Sequence, residues 1–287
     1  MISLDCIPCL LAHSLRAMRR AGVPKTSERE LFIKALGEVK IMLDGSPAPI
    51  AAAAIYRLIS EKTGNNDPFR DFKRKSTTMA LEILPRLREM VMTSDNPFST
   101  AIEFAVAGNA IDLVKMEESS LGEIIEWLRK FESGKLATEE ISMLENEILS
   151  AQSVLVIGDN AGETVFDHLF IELIRGPKIY YGVRGAPVLN DTTIEEAEAS
   201  EIGEIAEIIS SESAIPGTVL EKVGKKFRAI FDGADVVIAK GQGNLETLDE
   251  SPRPIYHLFK AKCEPIAERV GCNVGDFIVW KNSPENT

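Results

Sequence analysis

The sequence predicts an α/β protein with a helical first half, on three observations. Helical signals fill residues 1–150, and no convincing strand pattern precedes Val154. From Val154 onward, short apolar runs alternate with helical patterns. Three strongly polar loops each follow one such run directly. Alternating strands and helices imply a mostly parallel sheet flanked by helices. Right-handed crossovers place the strands' carboxyl ends on one side. The expected organisation is a helical region over residues 1–150 and an α/β domain over residues 151–287.

In the helical half, Cys6-Ile7-Pro8-Cys9 opens a first helix, because Pro8 suits a first turn, and it runs to Ala21-Gly22. Ser27 with Glu30 forms a capping box for a second. A third spans residues 49–62, with Gly64 placed to end it. Asp67-Pro68 and Asn96-Pro97 each pair an N-cap residue with a first-position proline. Pro85 kinks or ends the helix after Asp67. Ser120 with Glu123 is another capping box, and Thr138 caps a helix to about Ser150.

In the second half, Val154-Leu155-Val156-Ile157 is an apolar run that ends at Gly158, with Asp159-Asn160 next and a helical pattern from Gly162-Glu163. That order reads as a buried parallel strand feeding a helix. Residues 178–183 form a second strand leading to Asn190-Asp191, and residues 192–199 a short helix. A third strand is expected over 205–209, and a helix from Pro216-Gly217. Residues 235–239 are a clear apolar strand followed by Lys240-Gly241-Gln242-Gly243-Asn244. Late strands at 255–259 and 277–280 flank a helix at 264–269.

With 287 residues, the chain can bury a sizeable core. A formal charge of −12 argues against nucleic-acid or anionic-membrane binding through bulk charge. It does not argue against a small anionic substrate, because a site's field is local. No apolar run approaches the roughly 20 residues of a membrane span. The start of the chain does not read as a signal peptide, and four cysteines do not make a disulfide scaffold. A cytoplasmic protein is the expectation.

A parallel sheet brings Asp159-Asn160, Asn190-Asp191 and residues 240–244 to one edge, where ligands of open α/β sheets bind. Carboxylates and amides there offer hard oxygen ligands suited to Mg²⁺ or Mn²⁺. Oxygen ligands, a lysine and a helix N-terminus are the parts needed to bind and polarise a phosphoryl group. Each part also has a plainer reading. Asp159-Asn160 fits a capped turn, Asn190-Asp191 a helix cap, the glycines a tight turn, and Lys240 a solvated surface. Asp167 and His168 read as surface or packing residues, and His257 as structural.

Gly158-Asp-Asn-Ala-Gly-Glu163, Arg184-Gly-Ala-Pro-Val-Leu-Asn-Asp191 and Lys240-Gly-Gln-Gly-Asn244 resemble the signature motifs of the damage-control phosphatases, formerly domain of unknown function 89. Cys6-Ile-Pro-Cys9, Asn66-Asp-Pro-Phe69 and Ala107-Gly-Asn-Ala-Ile-Asp112 resemble its prokaryotic branch. The resemblance implies a Rossmann-like domain after the helical region, and a phosphatase acting on small phosphorylated metabolites such as damaged or surplus sugar phosphates. It implies a divalent cofactor (Mg, Mn, Ni or Co) held by Asp159, Asn160 and Asp191, with Lys240 on the substrate phosphate. Arg184, Asn190 and Asn244 become neighbours of the substrate, and Asp67 a support from the helical region.

The expected chemistry is attack by metal-activated water, with a carboxylate assisting. An aspartyl-phosphate at Asp159 is the alternative. Two other functions stand against it: an S-adenosylmethionine-dependent methyltransferase, and a phosphometabolite-binding protein without turnover. Cys6, Cys9 and His13 share one helix face, and with Cys263 or Cys272 they would form a second metal site, a redox pair or simply buried structural cysteines.

Overall fold

The computed structural model describes residues 3–41, 45–109 and 138–282, with Glu123 and Glu126. Its first three helices are α1 (Cys6–Arg20), α2 (Lys25–Ile41) and α3 (Ala48–Thr63). Apolar residues four apart, such as Ala51, Ile55 and Ile59 on α3, meet Leu10, Ala17, Met18, Leu31 and Ala35 in a core of their own. Gly64 ends α3 in a left-handed conformation, φ 67°.

Helices α4 (Arg70–Met92), α5 (Pro97–Gly108) and α6 (Thr138–Ser150) behave differently. Their apolar faces, including Ile83, Leu87, Phe104 and Leu144, join Val154, Val156, Tyr181 and Ile238 of the sheet in one continuous core. The expected boundary near residue 150 therefore does not separate two cores. Helices α1–α3 pack around a cluster of their own.

The sheet contains β1 (Ser153–Ile157), β2 (Lys178–Val183), β3 (Glu207–Ser210), β4 (Val236–Lys240), β5 (Tyr256–Lys260) and β6 (Phe277–Lys281). Their spatial order is β3-β2-β1-β4-β5-β6. All pairings are parallel except that of β5 with β6. Side chains alternate between the faces of β1. Val154 and Val156 meet the helices α4–α6 and α7 (Glu163–Ile171). Leu155 and Ile157 meet Phe227 and Phe231 of α9 (Lys225–Gly233). Burial on both faces explains why β1 is apolar from Val154 to Ile157. Chain order reverses between β1 and β4, which makes their carboxyl ends the switch point where such sheets bind ligands.

Several expected helix starts move. Helix α2 begins at Lys25, after Pro24 rather than at a Ser27 cap. Asp67 does not cap α4. Its carboxylate instead accepts the Phe69 N–H at 3.2 Å in a local turn, and α4 runs straight through Pro85. Asn96 does cap α5, accepting from the Ser99 N–H at 3.0 Å. No helix starts at Pro216; α9 begins at Lys225. A short helix, α10 (Gln242–Leu248), was not expected from sequence. Ser120 and its proposed capping box lie outside the described residues.

Candidate active site at the carboxyl edge of the sheet

The three polar loops interlock. Asn160 and Asp191 form an isolated antiparallel bridge, and the Ala161 N–H donates to the Asn190 carbonyl at 2.9 Å. Asn190 Nδ2 donates to Asn160 Oδ1 at 2.9 Å. The loop after β4 reaches the loop after β1 through Gly241, whose φ is +78°. A Cβ on Gly241 would lie 1.9 Å from Asp159 Oδ2, so only glycine allows this approach. Asn190 and Asp191 are not helix caps: Thr193 takes that role for α8 (Ile194–Ala199), through a capping box with Glu196. Leu189, immediately before them, has a left-handed φ of 49°, which is strained for a leucine.

Two clusters of buried charge flank the β1 loop. In the first, Asp159 Oδ2 accepts from Asn109 Nδ2 at 3.0 Å and from Asn160 Nδ2 at 2.8 Å. The same two amides reach Glu163 Oε2 at 2.9 and 3.1 Å. Lys240 Nζ donates to Glu163 Oε1 at 2.8 Å, to the Ala105 carbonyl at 2.9 Å, and to Asp167. Tyr181 Oη donates to the other Asp167 oxygen at 2.7 Å. In the second cluster, Arg184 Nε donates to Asp191 Oδ2 at 2.7 Å. The Arg184 fork also reaches Asn244 Oδ1 at 3.2 Å and Thr218 Oγ1 at 3.3 Å. Asn244 in turn donates to the Lys240 and Gly158 carbonyls.

This geometry bears on two expectations. Lys240 does not present a free ammonium to a phosphate. It is 0% exposed, and its three N–H donors already have three acceptors. Of the two readings of Asp167, surface or packing, the structure has the buried one: it is also 0% exposed and is one of those acceptors. Glu163 and Asn109 were missed as site residues. Glu163 lies one helical turn past Asn160 and so faces the same edge, a spacing that was readable in the sequence. Asn109 comes from the end of α5, and nothing local in the sequence indicates that it reaches Asp159.

The electrostatics are uneven. Asp159, Glu163, Asp167 and Asp191 are four buried carboxylates against two buried cations, Lys240 and Arg184. Burial, then the charges of Glu163 and Asp191, push the Asp159 carboxyl up to about 8. Burial raises Asp167 to about 6, although Lys240 opposes it. Burial would also raise Glu163, but Lys240 and the amides of Asn109 and Asn160 hold it below the usual carboxylate range. Burial raises Asp191, partly offset by Arg184.

The described hydrogen bonds to Asp159 and Asp191 fall on their Oδ2 atoms, and the Arg184 guanidinium stands 3.9 Å from Asp159 Oδ1, beyond hydrogen-bond distance. Surplus negative charge among hard oxygen donors fits a divalent cation. The donor set is two carboxylates and the Asn160 amide oxygen. No group of three His, Cys, Asp or Glu side chains among the described residues forms a metal cluster by itself.

Asp67, the expected support from the helical half, pairs with buried Lys73 at 2.9 Å, and Lys73 also meets Glu196 at 2.7 Å. A cavity of about 700 Å³ lies between α3, Asp67 and residues 186–189, next to the Asn190-Asp191 loop.

The model for the damage-control phosphatase ARMT1-like domain matches residues 2–278. The chain belongs to the damage-control phosphatase family. Among its relatives, a damage-control phosphatase of Archaeoglobus fulgidus is 32% identical, covering 96% of this chain and 98% of the relative. One from Pyrococcus horikoshii is 30% identical over 98% of both chains. An uncharacterized protein of Methanocaldococcus jannaschii is 35% identical, covering 98% of this chain and 95% of its own. The crystal structure of a DUF89 family protein from Pyrococcus horikoshii superposes with a TM-score of 0.88 at 28% identity, covering 98% of this chain and 99% of that one. The damage-control phosphatase fold thus extends over the helical half as well as the sheet.

Proposed function

We propose that this damage-control phosphatase hydrolyses phosphomonoesters of small metabolites with a divalent cation, Mg, Mn, Ni or Co, held by Asp159, Asn160 and Asp191. The observation that carries the reading is the Asp159 carboxylate at the switch point, buried among more negative than positive charge. Family membership independently supports phosphatase chemistry.

When bound, such a cation acidifies water and counters phosphoryl charge. The chain's own groups do the positioning. Asn109 and Asn160 fix the Asp159 carboxylate through its Oδ2, and Arg184 fixes Asp191. Lys240 balances Glu163 and Asp167 and thereby holds the amide pair that orients Asp159. Lys262 is an exposed cation whose charge reaches Asp159, and it suits recruitment of a phosphate better than buried Lys240 does. The cavity of about 700 Å³ beside Leu189 has the volume of a small-metabolite pocket.

The test is a phosphatase screen across sugar phosphates, nucleotides and cofactor phosphates with each metal, paired with calorimetric metal titration. Turnover should require added cation, and Asp159→Asn and Asp191→Asn should each weaken cation binding by about a hundredfold or more. Full turnover in thorough chelation, or wild-type cation affinity in both variants, would overturn the assignment.

A further inference from the structure

Three cysteines from opposite ends of the chain line one cavity. Cys6 and Cys9 lie in the first turn of α1, and Cys263 stands at the N-cap of α11 (Glu264–Val270). All three border a cavity of about 300 Å³ with His13, Gln242 and Glu246. Cys9 and His13 follow Cys6 at helical spacing, so all three occupy one face of α1. The thiols are close enough to feel one another's charge. Gln242 Nε2 stands 3.4 Å from Cys263 Sγ and 2.9 Å from Glu246 Oε1, so the Cys263 sulfur faces the start of α10. The three thiols are free of disulfides, and Cys263 is half-buried beside the small core of Leu245, Phe259 and Ile266.

We propose that Cys6, Cys9, Cys263 and His13 bind a thiophilic divalent cation of the Zn²⁺ class, separate from the carboxylate edge. Three thiolates and an imidazole are a familiar tetrahedral donor set for that ion. A dithiol exchange centre would need only Cys6 and Cys9, and would leave the approach of Cys263 and His13 without a role. Among the described residues these side chains do not stand at ligand spacing, so binding requires them to move onto the ion. Each thiol releases its proton to solvent as it ligates.

The position gives the ion a structural task. Helices α1–α3 have a core separate from that of the sheet. A metal at this seam staples the first turn of α1 to Cys263, beside the α10 segment that begins next to Gly241. The proposal does not depend on the phosphatase reading.

The experiment uses the full chain, kept reduced with a phosphine, stripped by chelation and titrated with Co²⁺. About one equivalent should bind with a sulfur-to-cobalt charge-transfer band and strong tetrahedral visible bands, and Zn²⁺ should bleach both. Thiol counting with an aromatic disulfide reagent should fall on Zn²⁺ addition, with Cys272 still reactive. Cys263→Ser and Cys9→Ser should weaken this binding roughly a hundredfold or more, whereas Cys272→Ser and Asp159→Asn should keep the band. Should a cysteine variant fail to fold, X-ray absorption on the zinc-loaded wild type decides: sulfur scatterers near about 2.3 Å are expected. Only nitrogen and oxygen scatterers, no charge-transfer band in the folded wild type, or a band that survives Cys263→Ser would overturn the proposal.

Discussion

Asp159 and Asp191 stand at the ends of neighbouring strands, yet Asp191 meets the Arg184 guanidinium at 2.7 Å while the same guanidinium is 3.9 Å from Asp159. Around Asp191 the negative charge has a direct partner, and the fork that supplies it is tied to Asn244 and Thr218. Around Asp159 the nearest donors are neutral amides, and the buried Lys240 ammonium is spent on Glu163 and Asp167. One half of the edge is therefore self-neutralised. The other holds an unrelieved charge that either a proton or a cation must satisfy.

The largest effect should come from Lys240, which serves the second kind of half. Lys240→Met leaves Glu163 and Asp167 buried without their counter-charge, and should cost about 3–5 kcal/mol of stability in denaturant unfolding. Adding Glu163→Gln and Asp167→Asn should recover much of that loss, because the stranded charges are then gone. A phosphate clamp behaves otherwise: it would lose substrate affinity with stability unchanged. That second pattern would return Lys240 to the substrate.

The same conservative change should have opposite consequences in the two halves. With its folded pKa near 8 and an unfolded value of about 3.9, Asp159 binds more protons folded than unfolded between those limits. Stability of the cation-free chain should thus fall as pH rises from about 4 toward 8. Asp159→Asn should flatten that slope and stabilise the cation-free chain at pH 8. Asp191→Asn should destabilise it by about 1–3 kcal/mol, since buried Arg184 loses its carboxylate. In the wild type, apparent cation affinity should rise with pH up to about 8, because ligation displaces the Asp159 proton. A pH-independent affinity would mean that Asp159 is already ionised.

The smallest effect concerns a buried group outside both halves. His257 is fully buried against Trp280, neither ring nitrogen has a hydrogen-bond partner among the described residues, and burial lowers its pKa to about 3. The unfolded chain therefore binds its proton first, and stability is lost as pH falls from about 6.5 toward 3. His257→Leu should remove that part of the acid sensitivity and leave cation binding at pH 8 unchanged. A shift in cation affinity in this variant would tie β5 to the site.

The parts read most easily from sequence are those with a local cause. An apolar run closed by Gly158 becomes β1, Asn96-Pro97 caps α5, and Gly64 ends α3. The Asp159, Asn160, Asn190 and Asp191 grouping was equally readable, because parallel topology sends every strand end to one edge. Asp67 reads as a cap in the sequence and is an ion-pair partner of Lys73 in the structure, because the local turn uses its Oδ1 and leaves Oδ2 for the lysine. Asn109 was legible only as part of a motif, with no indication of its partner.

The sequence by itself determined the succession of strands, the mostly parallel sheet and the oxygen-rich strand ends, since each follows from periodicity, turn chemistry and chain connectivity. Only the tertiary structure decided which charges pair. Whether Lys240 meets a phosphate or Glu163 and Asp167 depends on how α7 packs against β4 and α5. Whether Cys6, Cys9 and Cys263 share a cavity depends on where α1–α3 docks. Buried electrostatics are set by distances of a few ångströms between segments far apart in the chain, and no local pattern encodes them.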